Sequence, residues 1–447
     1  MSTASLPGYP APSPQLHTPS YTASPQPHEY RLAMNGRLRP NRSPGEFIKQ
    51  GKNGGVSLRL VGQDDHASLP VYGYGAAVKG TVEISKPEGI TSVEVKIEGT
   101  LKLQEVAEGG NTTRRLCLNQ TILWVKDRTG DTPCPSSLSF SLALPTTFSD
   151  GDKTYPLPPT YEAHLSGLPG FQANIDYNVG ALVVKPNMVP HLVKSALFRK
   201  DDWAVLTPFV YHPRTRPAVP IPKPLAPVAS RGGFAETPQW RVFPAIILAA
   251  RGGQDISTKL YLPATRIFCF NQPIPFHLTF SSSAMSLAAF LPLGPVASLL
   301  SPKKQYTRIQ LLRQTTVDVR GSNAVVMGTK TDIWRVDCIG EGAFRHAGDG
   351  PDWISFSGEI FISSDVKIGG FKAGGLSVRD YMVLSVCPPD PVKAPFKELR
   401  QVVPIRLATD LWTEDGSFLD AFGAQYGPPS IPSSDELEAA PELRYHS

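Results

Sequence analysis

TVEISKPEGITSVEVKIEGTLKL, residues 81–103, decides the fold class of this chain. Val93, Val95 and Ile97 alternate with Glu94, Lys96 and Glu98. Successive side chains leave a strand on opposite faces, so a period of two with β-branched residues describes a strand buried on one side only. Lys86-Pro87-Glu88-Gly89 interrupts the alternation, and that punctuation predicts a turn. VSLRLVG, residues 56–62, alternates in the same way, and further strands are predicted at 116–125, 138–144 and 173–184. In the last of these Ile175, Tyr177, Val179, Ala181 and Val183 share one face. Short strands separated by Gly and Pro turns predict an all-β fold built from antiparallel sandwiches.

HPRTRPAVPIPKPLAP, residues 212–227, holds six prolines. Neither a helix nor a central strand tolerates that density, so the segment reads as an extended, polyproline-type connector and a domain boundary. Strand-like runs resume beyond it at 240–250, 258–262, 275–280, 307–320, 332–339, 353–363, 377–386 and 402–408. The division that follows is a β-sandwich at 55–211, a linker at 212–235 and a second β-sandwich at 236–411. Short helical pieces are expected near 190–200 and 410–422. The chain of 447 residues is long enough for two or three domains.

Residues 1–54 carry nine prolines, six Lys or Arg and two Asp or Glu, a net of +4, with no periodic apolar pattern. Such a segment buries too little surface to offset its ordering entropy, and disorder is expected there. Residues 412–447 read as a short helix or a loose acidic tail. The overall charge of +5 is small for this length and does not point to nucleic acid. The beginning, MSTASLPGYPAPSPQ, lacks the basic start and apolar run of a secretory signal. Five widely spaced cysteines with no C-x-x-C fit reduced thiols in a cytosolic protein. No Lys, Arg, Asp or Glu occurs between Arg266 and Lys303, but Pro292, Gly294 and Pro295 interrupt that run. Residues 281–303 are therefore expected to form a surface loop that does not cross a membrane.

The motifs of common catalytic sites are absent: there is no H-E-x-x-H, G-x-S-x-G or G-x-x-x-x-G-K-[ST]. Nothing in the sequence calls for a metal or a cofactor. Gly369-Gly370-Phe371-Lys372-Ala373-Gly374-Gly375 resembles a phosphate-cradling loop only superficially, since strand-like flanks replace the helix such loops need. It is read as a turn. His277, in PFHLTF, is read as an ordinary strand residue. Arg308, Arg313 and Arg320 recur along one run. They are solvated sheet surface or, more pointedly, a cationic surface for acidic or phosphorylated tails, because Arg forks match carboxylate and phosphate.

An ordered series of segments resembles the arrestin family. Val78-Lys79-Gly80-Thr81-Val82 and then Ile90 to Thr100 are similar to the opening of the arrestin N-terminal domain. Leu157-Pro158-Pro159-Thr160-Tyr161 and then Ala173-Asn174-Ile175-Asp176-Tyr177-Asn178-Val179 follow in family order. Pro275 to Leu278, Ile309 to Gln314, Val366 to Phe371 and Val403 to Asp410 resemble the C-terminal domain of fungal arrestin-like proteins. The resemblance spans roughly 55–415. It implies two immunoglobulin-like sandwiches side by side with disordered tails, and no enzyme activity. It also implies the work of the alpha-arrestin branch, which links the cytosolic tails of transporters or receptors to WW-domain HECT ubiquitin ligases for ubiquitylation and endocytosis. The protein would then be cytoplasmic and recruited to the plasma membrane or endosomes.

The family's ligase contact is a P-P-x-Y or L-P-x-Y motif in a flexible tail. Here Pro158-Pro159-Thr160-Tyr161 and Leu69-Pro70-Val71-Tyr72 both fall inside the expected sandwich and are read as structural, since a WW groove needs an exposed polyproline II segment. The tail candidates are Leu6, Pro7 and Tyr9 in L-P-x-Y, with Pro19 and Tyr21 as a weaker pair. Two other readings share an all-β chain: a retromer-type coat or sorting scaffold without ligase binding, and a β-sandwich enzyme or carbohydrate-binding module.

Overall fold

The structure is a computed structural model, and it describes residues 29–32, 45–52, 54–63, 68–106, 110–127, 133–185, 205–228, 232–250, 252–290, 306–319, 333–387 and 394–414. These residues form 24 strands and one six-residue helix, so the chain is all-β.

Two sheets make the first half. Ser92–Glu105 and Phe171–Val184 pair along their full length, and they are flanked by Asn111–Val125 on one side and Val205–Tyr211 and Val71–Tyr72 on the other. Tyr161–Leu165 pairs with the end of Phe171–Val184. The second sheet runs Gly45–Gln50, Val56–Gln63, Ala77–Ile84 and Ser137–Ala143. Alternation puts Val95, Ile97, Ile175 and Val179 of the first sheet into one core with Leu58, Val78 and Val82 of the second.

The second half is a single ten-stranded sheet that curls on itself. Its order runs from Trp240–Ile247 through Ile256–Pro263, Ile274–Ser281, Trp353–Ile362, Ile333–Asp349, Thr307–Val317 and Leu376–Val386 to Leu399–Ala408, with Ile267–Cys269 at the far edge and Phe371–Ala373 paired to Leu376–Val386. The two ends of the curl are stitched together. Ala250 N–H donates to the Pro395 carbonyl (2.6 Å) and Lys397 N–H to that of Leu248 (2.9 Å). The Gln401 amide donates to the carbonyls of Phe243 and Pro244. Closure removes the exposed edges that a long open sheet would present and encloses a core of Phe276, Leu278, Ile309 and Met382.

Three expectations need correction. Residues 1–54 are not wholly without structure: Glu29–Leu32 pairs antiparallel with Arg214–Pro217, and Gly45–Gln50 pairs with Val56–Gln63. The first strand's partner is remote and the second's is the next strand along the chain; in both cases pairing of backbone groups offsets the ordering cost that composition alone does not. The connector is likewise not free along its length, since its start is one of those partners. Residues 281–303 are not all loop: Ala284–Ala289 is helical, because the Ser283 hydroxyl accepts the Ser286 N–H as an N-cap and Leu287 turns into the core. Among the described residues no helix is long and apolar enough to cross a membrane. The helix expected near 190–200 lies outside the described residues, and that expected at 410–422 does not form over 410–414, the part described.

His277 shows how the connector is held. Its Nε2 accepts the Leu225 N–H (3.0 Å), so Nδ1 carries the proton and donates to the Ser357 hydroxyl (2.8 Å). The ring lies between Phe234 (4.3 Å) and Trp240 (4.7 Å). Burial lowers its pKa to about 4. The unfolded chain takes up this proton near the ordinary value of about 6.5, whereas the folded chain resists it until about 4. The contribution of neutral His277 is thus complete above pH 6.5 and is lost as the pH falls towards 4, by roughly 3 kcal/mol at most. Urea unfolding at pH 7.5 and 4.5 checks this. His277→Phe leaves the Leu225 N–H unpaired, lowers stability at pH 7.5 by about 1–3 kcal/mol and flattens the dependence on pH.

Candidate functional site

The halves meet over a junction that is apolar inside and polar at its rim. The hairpin of Phe371–Ala373 and Leu376–Val386 turns through Gly374 and Gly375, at φ +44° and +102°. This glycine-rich stretch is therefore a two-residue turn, as its strand-like flanks imply. A Cβ on Gly375 would meet the Asp318 carbonyl oxygen at 2.4 Å, and one on Gly374 would meet the Arg114 side chain at 3.0 Å. The tip reaches Leu101 and Leu103 of the first half. Phe371, Ala373, Leu376 and Val378 join Val317, Val319 and Ile333 in the same core as the first half's sheets.

Beside this apolar contact lies a cleft of about 80 Å³, room for a few waters. Glu29, Arg31, Arg214, Lys372 and Arg406 line it. Arg406 forms a buried, two-pronged pair with Glu29 (2.5 and 3.0 Å). Arg214 forms a second two-pronged pair with Asp410. Arg31 lies over the Tyr74 ring and Lys372 over that of Tyr155. Thr215 exchanges bonds with Thr409 and Asp410: its N–H donates to the Thr409 hydroxyl, and its carbonyl accepts from the Asp410 N–H. Three remote pieces of chain are clasped here: the strand Glu29–Leu32, the start of the connector and the end of Leu399–Ala408. Burial lowers the pKa of His212, next to the clasp, against the pull of Asp410.

The sequence-derived candidates distribute unevenly around this place. Pro158 and Pro159 are buried and line the cleft, and the Pro158 carbonyl accepts the Tyr177 hydroxyl at 2.6 Å. Tyr161 is half-buried; its ring meets Phe371 edge-on (5.1 Å) and its hydroxyl lies 3.1 Å from that of Thr315. Its contacts therefore run to the second half. In the other internal motif, Pro70 and Tyr72 are buried. Leu6, Pro7, Tyr9, Pro19 and Tyr21 lie outside the described residues, as does Arg320.

Arg308 and Arg313 do not form a common cationic surface. Arg308 is exposed and held by both oxygens of Glu341 (2.8 and 3.2 Å). Arg313 faces inward, bonded to both oxygens of Asp380 (2.8 and 3.1 Å) and to the Ile368 carbonyl (2.9 Å). The reason is parity: Arg313 shares a face with Ile309, Leu311 and Val317, which are core residues. Asp380 is its direct cross-strand neighbour. Sequence reasoning missed this pair, and also Glu29, Arg406, Arg214 and Asp410. For Arg313 and Asp380 a signal exists: each is a lone charge, of opposite sign, on the apolar face of its strand.

Among the described residues no cluster of His, Cys, Asp or Glu has metal-binding geometry. Burial pushes the Cys117 thiol up to about 12, away from the thiolate that reactive cysteines need. Comparison with protein-family models finds none that matches the chain, and comparison with curated proteins finds no match either.

The clasp has a measurable weight. Glu29→Gln leaves Arg406 buried beside a neutral amide and lowers stability by about 3 kcal/mol, as broken buried pairs do. Arg406→Gln does the same, and the double variant loses less than the sum, because the two side chains bond each other. Urea midpoints of the four proteins test this; additive losses would show that the two side chains act independently.

Proposed function

We propose that this chain is an arrestin-like adaptor that works by binding and carries out no reaction. In this reading residues 55–211 and 236–411 are two immunoglobulin-like sandwiches, the first extended by strands from before residue 55. The protein links cytosolic tails of membrane transporters or receptors to a WW-domain HECT ubiquitin ligase, and the ubiquitylated cargo enters endocytosis. It acts from the cytoplasm, at the surface of the plasma membrane or endosomes.

One observation carries the reading. Four segments that resemble arrestins, far apart in sequence, supply the junction together. Pro158 and Tyr161 come from 157–161, Tyr177 from 173–179, Ile368 and Phe371 from 366–371, and Arg406 and Asp410 from 403–410. A series of residues that resembles one family and assembles at one place has a common structural reason. A scaffold that holds two partners needs two rigid bodies fixed relative to each other, and this junction does that.

The ligase contact is assigned to the tail. Pro158 and Pro159 are buried, so a WW groove has no access to them. That burial also favours the second reading, a retromer-type sorting scaffold with no ligase motif. Titration of the full chain into purified WW domains of a HECT ligase separates the two. On the adaptor reading the chain binds, Tyr9→Ala weakens binding about tenfold or more, and Tyr161→Phe binds as the parent does while losing about 1 kcal/mol of stability with its Thr315 bond. Loss of ligase binding in Tyr161→Phe with normal binding in Tyr9→Ala would sink the tail assignment. No WW binding, with purification in fixed proportion to coat subunits, would establish the sorting scaffold instead.

A further inference from the structure

The connector is built in an unusual way for a spacer. Lys223, Pro224, Ala226 and Pro227 are all exposed, whereas Leu225 between them is buried. The rotation of the chain about its own axis is fixed at this point from several sides. The Leu225 N–H is held by His277 Nε2 (3.0 Å), and its side chain joins Phe234, Trp240 and Tyr261 in a small apolar cluster. The Lys223 carbonyl accepts the Trp240 indole N–H (3.1 Å). The Ala226 carbonyl accepts the Ala235 N–H (3.0 Å), and the Val228 N–H donates to Gly233 (3.0 Å).

The consequence is that two X–Pro dipeptides, Lys223-Pro224 and Ala226-Pro227, are presented to solvent with the residue between them turned away. This is the P-x-x-P arrangement read by aromatic-lined grooves. Free proline-rich segments lose some freedom when they dock, but this one is already immobilised by the fold, so little ordering cost remains. A mere stiffener needs the prolines but has no need to fix which face of the segment is outside.

Charge narrows the partner. Lys223 is the one charged residue between Pro217 and Val228, and it is exposed beside the first proline. A groove with carboxylates at its rim complements it. We propose that residues 223–227 are a preformed docking site for an aromatic-grooved domain of the SH3 type with an acidic rim. The site is separate from the ligase contact assigned to the tail and does not depend on it.

The test uses the full chain and a set of purified SH3 domains that includes several with acidic rims, with purified WW domains as a second arm. An acidic-rimmed SH3 domain is expected to bind. The double variant Pro224→Ala/Pro227→Ala weakens that binding about tenfold or more, with the melting temperature unchanged. Lys223→Glu, at an exposed position that cannot disturb the core, weakens it as well. Removing residues 1–28 leaves it unaltered, while abolishing WW binding if the ligase reading holds. The proposal is overturned if no SH3 domain binds, or if the parent and the Lys223→Glu and double variants bind alike. It is equally overturned if WW domains alone bind and do so only through residues 1–28.

Discussion

Everything in this structure depends on a shared core. The end of the second half's sheet, from Phe371 to Val378 with Val317, Val319 and Ile333, is buried among the apolar side chains of the first half. Burying Phe371, Leu376 and Val378 is worth about 1.5–3 kcal/mol for each side chain relative to exposure. That sum exceeds what any exposed ion pair supplies. The halves are consequently not two bodies on a flexible string. Because apolar burial has no direction, however, it leaves their relative orientation loosely defined.

Direction across the junction comes from polar contacts that join the halves: the Tyr161 and Thr315 hydroxyls lie 3.1 Å apart, and Arg335 donates to the His164 carbonyl (2.7 Å). Arg313 with Asp380, and Arg406 with Glu29, are buried pairs that cost desolvation energy on both partners. The first pair joins neighbouring strands of the second half and the second ties the strand Glu29–Leu32 to that half, and their forked geometry fixes those pieces. Arg313 also bonds the Ile368 carbonyl, which places the segment leading into Phe371. The buried pair and the buried aromatic ring are thus coupled: the first fixes the approach of the segment whose ring fills the second half of the contact. Gly375 belongs to the same constraint, since its close approach to the Asp318 carbonyl excludes any side chain.

Much of the fold was legible because strand alternation is a local signal. The run 81–103 splits into Ala77–Ile84 and Ser92–Glu105 at the turn its Pro and Gly mark. Other features were illegible for a physical reason in each case. Glu29–Leu32 is four residues long and its partner is Arg214–Pro217, so its stability comes from a remote strand and not from its own pattern. Ile333–Asp349 continues past Ile339 through Gly-Glu-Gly-Ala-Phe-Arg-His, where few apolar residues alternate; its pairing with Trp353–Ile362 carries it on across a bulge at His346. Arg308 and Arg313 look alike in composition, but they stand five positions apart, an odd step along a strand, and one therefore points out while the other points in. The site was less legible than the fold, because Glu29, Arg214, Arg406 and Asp410 converge only in three dimensions.

The clasp also brings remote parts of the chain together. Glu29 and Asp410 are far apart in sequence, yet both belong to it: Glu29 pairs with Arg406, and Asp410 with Arg214, whose strand pairs with that of Glu29. The first described strand, the start of the connector and the end of the last strand are therefore held at one place. The connector is held at its start by this clasp and again at Leu225 by His277, so the passage between the halves is fixed at two points.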